Sequence, residues 1–186
     1  AGTALRIEGY AIVSEDGMIA DASGLLPLPL IAEADQGFFE QGLNGVDVVV
    51  HGRHSGEQQQ TSAMRHRIIV TRAGAALAPA PANGRAVLWN PLGATFEDAI
   101  AALKTPIQSA AILGGTDVFG LFLDCYTVFF LSRIAGVRLP GGVPVFPQVP
   151  AQTPESVLAA HGLKDNGSVL SEPSQRLIIS RWARIA

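Results

Sequence analysis

The sequence predicts an α/β fold: a mainly parallel central sheet of about eight strands, helices on both faces, and an antiparallel hairpin at the carboxyl end. Three observations carry this expectation. Val46-Asp47-Val48-Val49-Val50 puts four valines in a five-residue window, the composition of a strand covered on both faces. Short apolar runs alternate with segments of helical periodicity, the pattern of parallel strands joined by crossover helices. The tail, Ser168 to Ile185, contains two extended runs separated by Glu172-Pro173-Ser174, which predicts the hairpin.

Taken in order, Leu5 to Val13 alternates as a first strand, and Ser14-Glu15-Asp16-Gly17 supplies a turn. Met18 to Leu28 is irregular, because Gly24, Pro27 and Pro29 forbid a regular helix. Leu30 to Leu43 reads as a helix with Ile31, Ala34, Phe38 and Phe39 on one face and Gly42 near its end. The valine strand follows, then a polar stretch from Ser55 to Met64 expected to be a short helix and loop. Arg67 to Thr71 is the next strand. Gly74 to Gly84 is an Ala/Pro linker, Ala86 to Trp89 a short strand, and Asn90-Pro91 ends it. Thr95 caps a helix through about Leu103, with Phe96, Ile100 and Leu103 on one side. Ala110 to Leu113 is a strand, Thr116 to Leu123 a helix, and Tyr126 to Ser132 a strand. Gly136 to Pro150, rich in glycine and proline, is expected to be a long surface loop. No internal repeat is visible, so residues 1–186 are expected to form a single domain.

Composition narrows the function. Hydrophobic residues make up 48% and charged residues 16%, as in a well-buried globular chain. A formal charge of −3, with no lysine or arginine cluster beyond Arg65-His66-Arg67, argues against a nucleic-acid partner. No apolar run reaches membrane-spanning length, so no membrane partner is expected. A basic segment followed by an apolar one is missing at the amino terminus, although the first residue is not methionine; a reducing cytoplasm is the expected location. The single cysteine, Cys125, excludes an internal disulfide and is expected to be a buried thiol in a strand. The four histidines are scattered, so no metal site is expected. Leu177-Ile178-Ile179 is a candidate edge for pairing in a homodimer.

The residues that bear chemistry fall at predicted strand ends. The valine strand stops on Gly52-Arg53-His54-Ser55. There glycine permits close backbone approach and arginine offers a planar fork of donors to phosphate. Gly114-Gly115-Thr116 lies between a strand and a helix start, which reads either as a phosphate-binding turn or as an ordinary tight connection. Arg72 follows the next strand as a further cation, or as a solvated loop residue. No Gly-x-Gly-x-x-Gly or Gly-x-x-x-x-Gly-Lys-Ser/Thr motif is present. Asp35 lies four residues after Ile31 and three and four before Phe38 and Phe39, so its carboxyl sits on the apolar helix face. Burial there would raise its pKa and suit it to proton donation. The other reading is a helix-margin aspartate with a backbone or arginine partner.

These motifs, in this order, resemble the dihydrofolate reductase superfamily, which includes the reductase domain of riboflavin biosynthesis. Val49-Val50-His51-Gly52-Arg53-His54-Ser55 is similar to the family's Gly-Arg-x-Ser/Thr cofactor motif, and Ile112-Leu113-Gly114-Gly115-Thr116-Asp117-Val118-Phe119 to its second signature. The resemblance implies a dihydrofolate reductase-like fold, NADPH as cofactor and a small heterocyclic substrate. It implies nicotinamide contacts at Ala11, Ile12 and Ile19, where Ala11 to Ala20 resembles the first strand and mobile loop. Thr71 and Arg72 would lie at the 2′-phosphate, and Gly114, Gly115, Thr116, Asp117 and Val118 along the cofactor. Asp35, Phe38, Phe39 and Ser132 would hold the substrate. Ser23 to Pro29 lacks the tryptophan usual in folate reductases, and the Thr-x-x-x-Asp-x-Pro stretch of the riboflavin branch is missing after the cofactor motif. The expected activity is therefore hydride transfer to a pterin-like heterocycle (dihydrofolate or a relative), with reduction of a ribosylamino-pyrimidine as the alternative. A protein that binds NADPH or a pterin without turnover is the reading outside enzymology.

Overall fold

A computed structural model describes residues 5–53, 64–80 and 85–185. Eleven strands appear among them: β1 (Arg6–Val13), β2 (Met18–Ala20), β3 (Val48–Gly52), β4 (Arg67–Val70), β5 (Leu77–Pro79), β6 (Ala86–Trp89), β7 (Ser109–Ile112), β8 (Val128–Ile134), β9 (Val143–Pro144), β10 (Leu163–Glu172) and β11 (Leu177–Arg184). The helices are α1 (Glu33–Asn44), α2 (Phe96–Ala102), α3 (Thr116–Leu121) and α4 (Pro154–Ala160).

Nine strands form one sheet in the order β10-β11-β8-β1-β7-β3-β4-β6-β5, against the expected eight. The stretch from β8 through β1, β7, β3 and β4 to β6 is parallel. β11 pairs antiparallel with β8, β10 with β11, and β5 with β6. Each strand sends alternate side chains to opposite faces. Tyr10, Val49 and Ala111 meet Phe38, Phe39 and Leu43 of α1 on one side. Val48, Val50, Ala110 and Ile112 meet Ala99 of α2, Val118 and Phe119 of α3, and Val157 and Leu158 of α4 on the other. The valine strand is buried on both faces, with Val48, Val49, Val50 and His51 each exposed by 3% or less. That explains its lack of alternation.

Several expectations are corrected. The helix predicted from Leu30 starts at Glu33, because Pro27 and Pro29 divert Leu28–Leu30 into a short 3-10 turn and Ala32 is extended. Ile31 therefore falls outside α1 and is exposed. The Ala/Pro linker contains β5, an edge strand that tolerates its proline. Gly136 to Pro150 is not a surface loop. Val145, Phe146 and Val149 are buried, and β9 pairs with β2. A helix unforeseen after it, α4, has Thr153 accepting from the Ser156 amide and Pro154 in its first turn. β10 begins at Leu163 rather than Ser168, the early part disguised by a bulge where Gly167 has φ +95°. β11 is paired on both sides, so Leu177-Ile178-Ile179 is not a free edge for a second subunit. Cys125 is exposed in the turn after α3, while its neighbour Tyr126 is buried and donates to the Phe119 carbonyl at 2.8 Å. The predicted short helix after Ser55 lies outside the described residues, apart from Met64. No helix among the described residues is long and apolar enough to cross a membrane.

Candidate functional site

β1 and β7 are adjacent and parallel, with Gly9 opposite Ile112. The helices that follow them, α1 and α3, pack on opposite faces of the sheet. Such a divergence opens a crevice beyond the carboxyl ends of the two strands. The chain after β7 fills its floor with Leu113-Gly114-Gly115. The Leu113 amide donates to the Val50 carbonyl at 2.9 Å and the Gly52 amide to the Gly114 carbonyl at 2.8 Å. The two glycine turns singled out in the sequence are thus hydrogen-bonded neighbours at one sheet edge. Gly114 has φ +105°, and a Cβ there would lie 2.8 Å from the Phe119 ring, so both backbone and packing require glycine. The Gly114–Gly115 peptide is cis. The Thr116 hydroxyl donates to the Pro144 carbonyl at 2.6 Å, tying the start of α3 to β9.

From this floor a cleft of about 900 Å³ extends outward across the ends of β3, β4 and β6. Among its walls are Gly52, Arg53, Thr71, Arg72, Gly115, Thr116, Asp117 and Val118, all expected from the sequence. His54 and Ser55 lie outside the described residues. Thr71 is buried, and its Oγ accepts from the Ala73 amide, which shapes the turn beneath Arg72. Arg72 Nη2 donates to Asp117 Oδ2 across the cleft. Sequence reasoning missed Asn90, Pro91 and Leu92, which also line it. The signal was present: Asn90-Pro91 ends a strand at the same edge as the two glycine turns. Leu92 is 91% exposed there, an apolar side chain available to a planar ligand.

On the α1 side of the crevice lies the acid. Ser132 of β8 stands opposite Ile12 of β1, and its hydroxyl donates to Asp35 Oδ1 at 2.5 Å. Burial pushes the Asp35 carboxyl above its usual value, and the Ser132 hydrogen bond opposes that by favouring the charged form. Phe38 and Phe39, on the next turn of α1, are half-buried. Phe38 meets Phe130 edge-on at 5.1 Å and Phe39 meets Tyr10 at 5.9 Å. Ala11 and Ile12 lie near the end of β1, and Ile19 packs against the main core from β2. The segment between them is tied down. Asp16 accepts from the Ser14 hydroxyl at 2.5 Å and the Leu139 amide at 3.0 Å, and the Val145 amide donates to the Gly17 carbonyl at 3.0 Å. Among the described residues, no three of histidine, cysteine, aspartate and glutamate group so as to hold a metal ion.

No protein-family model matches the chain, and no curated protein matches it. Solved structures do. A candidate riboflavin biosynthesis protein from Shewanella sp. PV-4 is 21% identical with a TM-score of 0.65, over 98% of this chain and 100% of that one. Dihydrofolate reductase from Enterococcus faecalis, complexed with NADP(H) and RAB-propyl, is 16% identical with a TM-score of 0.62, over 97% of each chain. A Thermotoga maritima diaminohydroxyphosphoribosylaminopyrimidine deaminase/5-amino-6-(5-phosphoribosylamino)uracil reductase is 15% identical with a TM-score of 0.65, over 98% of this chain and 57% of that one. The fold is dihydrofolate reductase-like.

Proposed function

We infer that the chain is a nicotinamide-dependent reductase that delivers hydride to a carbon–nitrogen double bond of a pterin-like heterocycle, dihydrofolate or a relative. The observation that carries this is the half-buried Asp35, held by Ser132 beside the end of β1 and raised in proton affinity by its surroundings. A carboxyl so placed keeps a proton available near a reacting nitrogen and can hold an amino-pyrimidine edge by paired hydrogen bonds. The cofactor, NADPH, fits the adjoining cleft: its volume suits an extended dinucleotide, Arg53 and Arg72 supply cations for phosphate, and the glycine turns allow close backbone approach. When bound it supplies the hydride. Ala11, Ile12, Ile19, Gly114 and Gly115 would bound its nicotinamide end, while Gly52, Arg53, Thr71, Arg72, Thr116, Asp117 and Val118 would follow the rest. Phe38 and Phe39 would flank the substrate ring.

A second reading within the class is reduction of a ribosylamino-pyrimidine. It is favoured by the likeness over nearly the whole chain to proteins whose descriptions name riboflavin biosynthesis and a phosphoribosylaminouracil reductase. Asp35 would then orient the substrate rather than protonate a ring.

Following nicotinamide absorbance with NADPH against dihydrofolate, other dihydropterins and ribosylamino-pyrimidines separates the two. Oxidation by none of them, with NADPH binding intact, would leave a non-catalytic binding protein. An Asp35→Asn variant retains an oxygen for the Ser132 hydroxyl and is expected to fold. It should lose about two orders of magnitude in kcat against a pterin. A near-normal rate would remove Asp35 from the chemistry.

A further inference from the structure

The cleft contains one feature that phosphate binding does not call for. Arg72, just beyond β4, and Asp117, in the first turn of α3, are 45 residues apart in sequence and meet as an ion pair across the cleft wall. Both side chains remain largely open to solvent, at 76% and 63% exposure, so either can turn toward a ligand. Among the described residues that line the cleft, Arg53 and Arg72 are the cations and Asp117 is the acid. With Asp117 on its guanidinium, Arg72 presents little net charge to an incoming group.

The two nicotinamide dinucleotides differ by one phosphate ester, which carries about −1.5 to −2 charge near neutral pH. A phosphate arriving at Arg72 meets the Asp117 carboxylate as a like charge and has to displace it. A ribose with free hydroxyls meets the reverse situation, because a carboxylate accepts hydrogen bonds from them. We propose that Asp117 sets the cofactor preference of this cleft: through its pairing with Arg72 it suppresses selection of the phosphorylated dinucleotide, so that NADH is accepted alongside NADPH. This rests on reading the cleft as the dinucleotide site, and it makes Asp117 a specificity-determining residue acting largely through Arg72.

The test is binding, measured by calorimetric titration of NADPH and NADH into wild-type protein and into Asp117→Asn, Asp117→Glu and Arg72→Gln/Asp117→Asn variants at low and at physiological salt. Removing one negative charge beside a phosphate is expected to tighten NADPH about tenfold at low salt and to leave NADH unchanged or weaker. The gain should shrink as salt rises, be absent in Asp117→Glu, and vanish when Arg72 is also replaced. If Asp117→Asn changes both affinities by the same factor, or neither, the proposal is overturned while the dinucleotide reading stands. If neither dinucleotide binds wild type or any variant, with folding verified by circular dichroism, the dinucleotide reading falls and takes this proposal with it.

Discussion

Asp35 is pulled in two directions. Loss of water around the carboxyl raises its proton affinity, and the Ser132 hydroxyl lowers it by donating to the charged form. In Ser132→Ala only the first effect remains, so the carboxyl pKa should rise further. If the protonated acid is the working form, turnover falls as pH rises through that value, and the descending limb of the pH–rate profile should move to higher pH in the variant. A limb that stays in place would mean that another group titrates there. The sequence made Asp35 legible because a carboxylate three and four residues before Phe38 and Phe39 breaks a helical stripe, although Ile31, the third apolar neighbour in that reading, lies outside α1 and is exposed. Ser132 was legible by family resemblance alone, since a serine in an apolar strand has no spacing that distinguishes it. The pairing of Arg72 with Asp117 was not legible. Each was singled out as a cofactor contact, but joining the end of β4 to the start of α3 requires the sheet order.

Packing between elements shows why some glycines are not interchangeable with alanine. Gly42 of α1 rides directly on Tyr10 of β1, and a Cβ there would lie 2.5 Å from Tyr10 Cζ. Tyr10 has little room to yield, since its ring stacks on Phe130 at 5.0 Å and its hydroxyl donates to Glu8 at 2.8 Å. Alanine gains up to about 1 kcal/mol of helix propensity over glycine, but overpacking costs about 1–3 kcal/mol. Gly42→Ala should therefore lower the free energy of unfolding by about 1–2 kcal/mol in urea, whereas a solvent-facing Gly37→Ala in the same helix should be neutral or stabilising. The sequence placed Gly42 near a helix end, and only the sheet beneath revealed what it touches. Elements missed at this scale share a cause. β5, β9 and α4 are short and contain or begin with proline, whose usual meaning is interruption. Each is held by pairing or burial against distant segments, which local pattern does not report.

At the scale of the whole molecule, the parallel order and the alternation of helices were written in the spacing of apolar runs. The position of β7 between β1 and β3, which creates the crevice, was not. The bidentate pair of Arg133 with Glu155, at 2.7 and 2.8 Å, fastens α4 to β8. It draws the Glu155 carboxyl below its usual 4.5. A group whose folded pKa is depressed contributes stability above its unfolded value and loses that contribution as pH falls through the folded one. Acid unfolding of the wild type should therefore carry this loss below about pH 4.5. Glu155→Gln should be less stable than wild type near neutral pH by about 1 kcal/mol, with the difference closing as pH falls until the wild-type carboxyl is protonated. A gap that persists beyond that point would assign the cost to packing rather than charge.

β11, made well after β8, sits inside the sheet between β10 and β8, and β8 in turn supports β1. During synthesis, then, β8 keeps one row of backbone donors and acceptors unmatched until residue 184 has cleared the ribosome. A nascent chain stalled before that point presents a sticky apolar border. Chaperone attendance should drop sharply once β11 has emerged rather than decline gradually along the message.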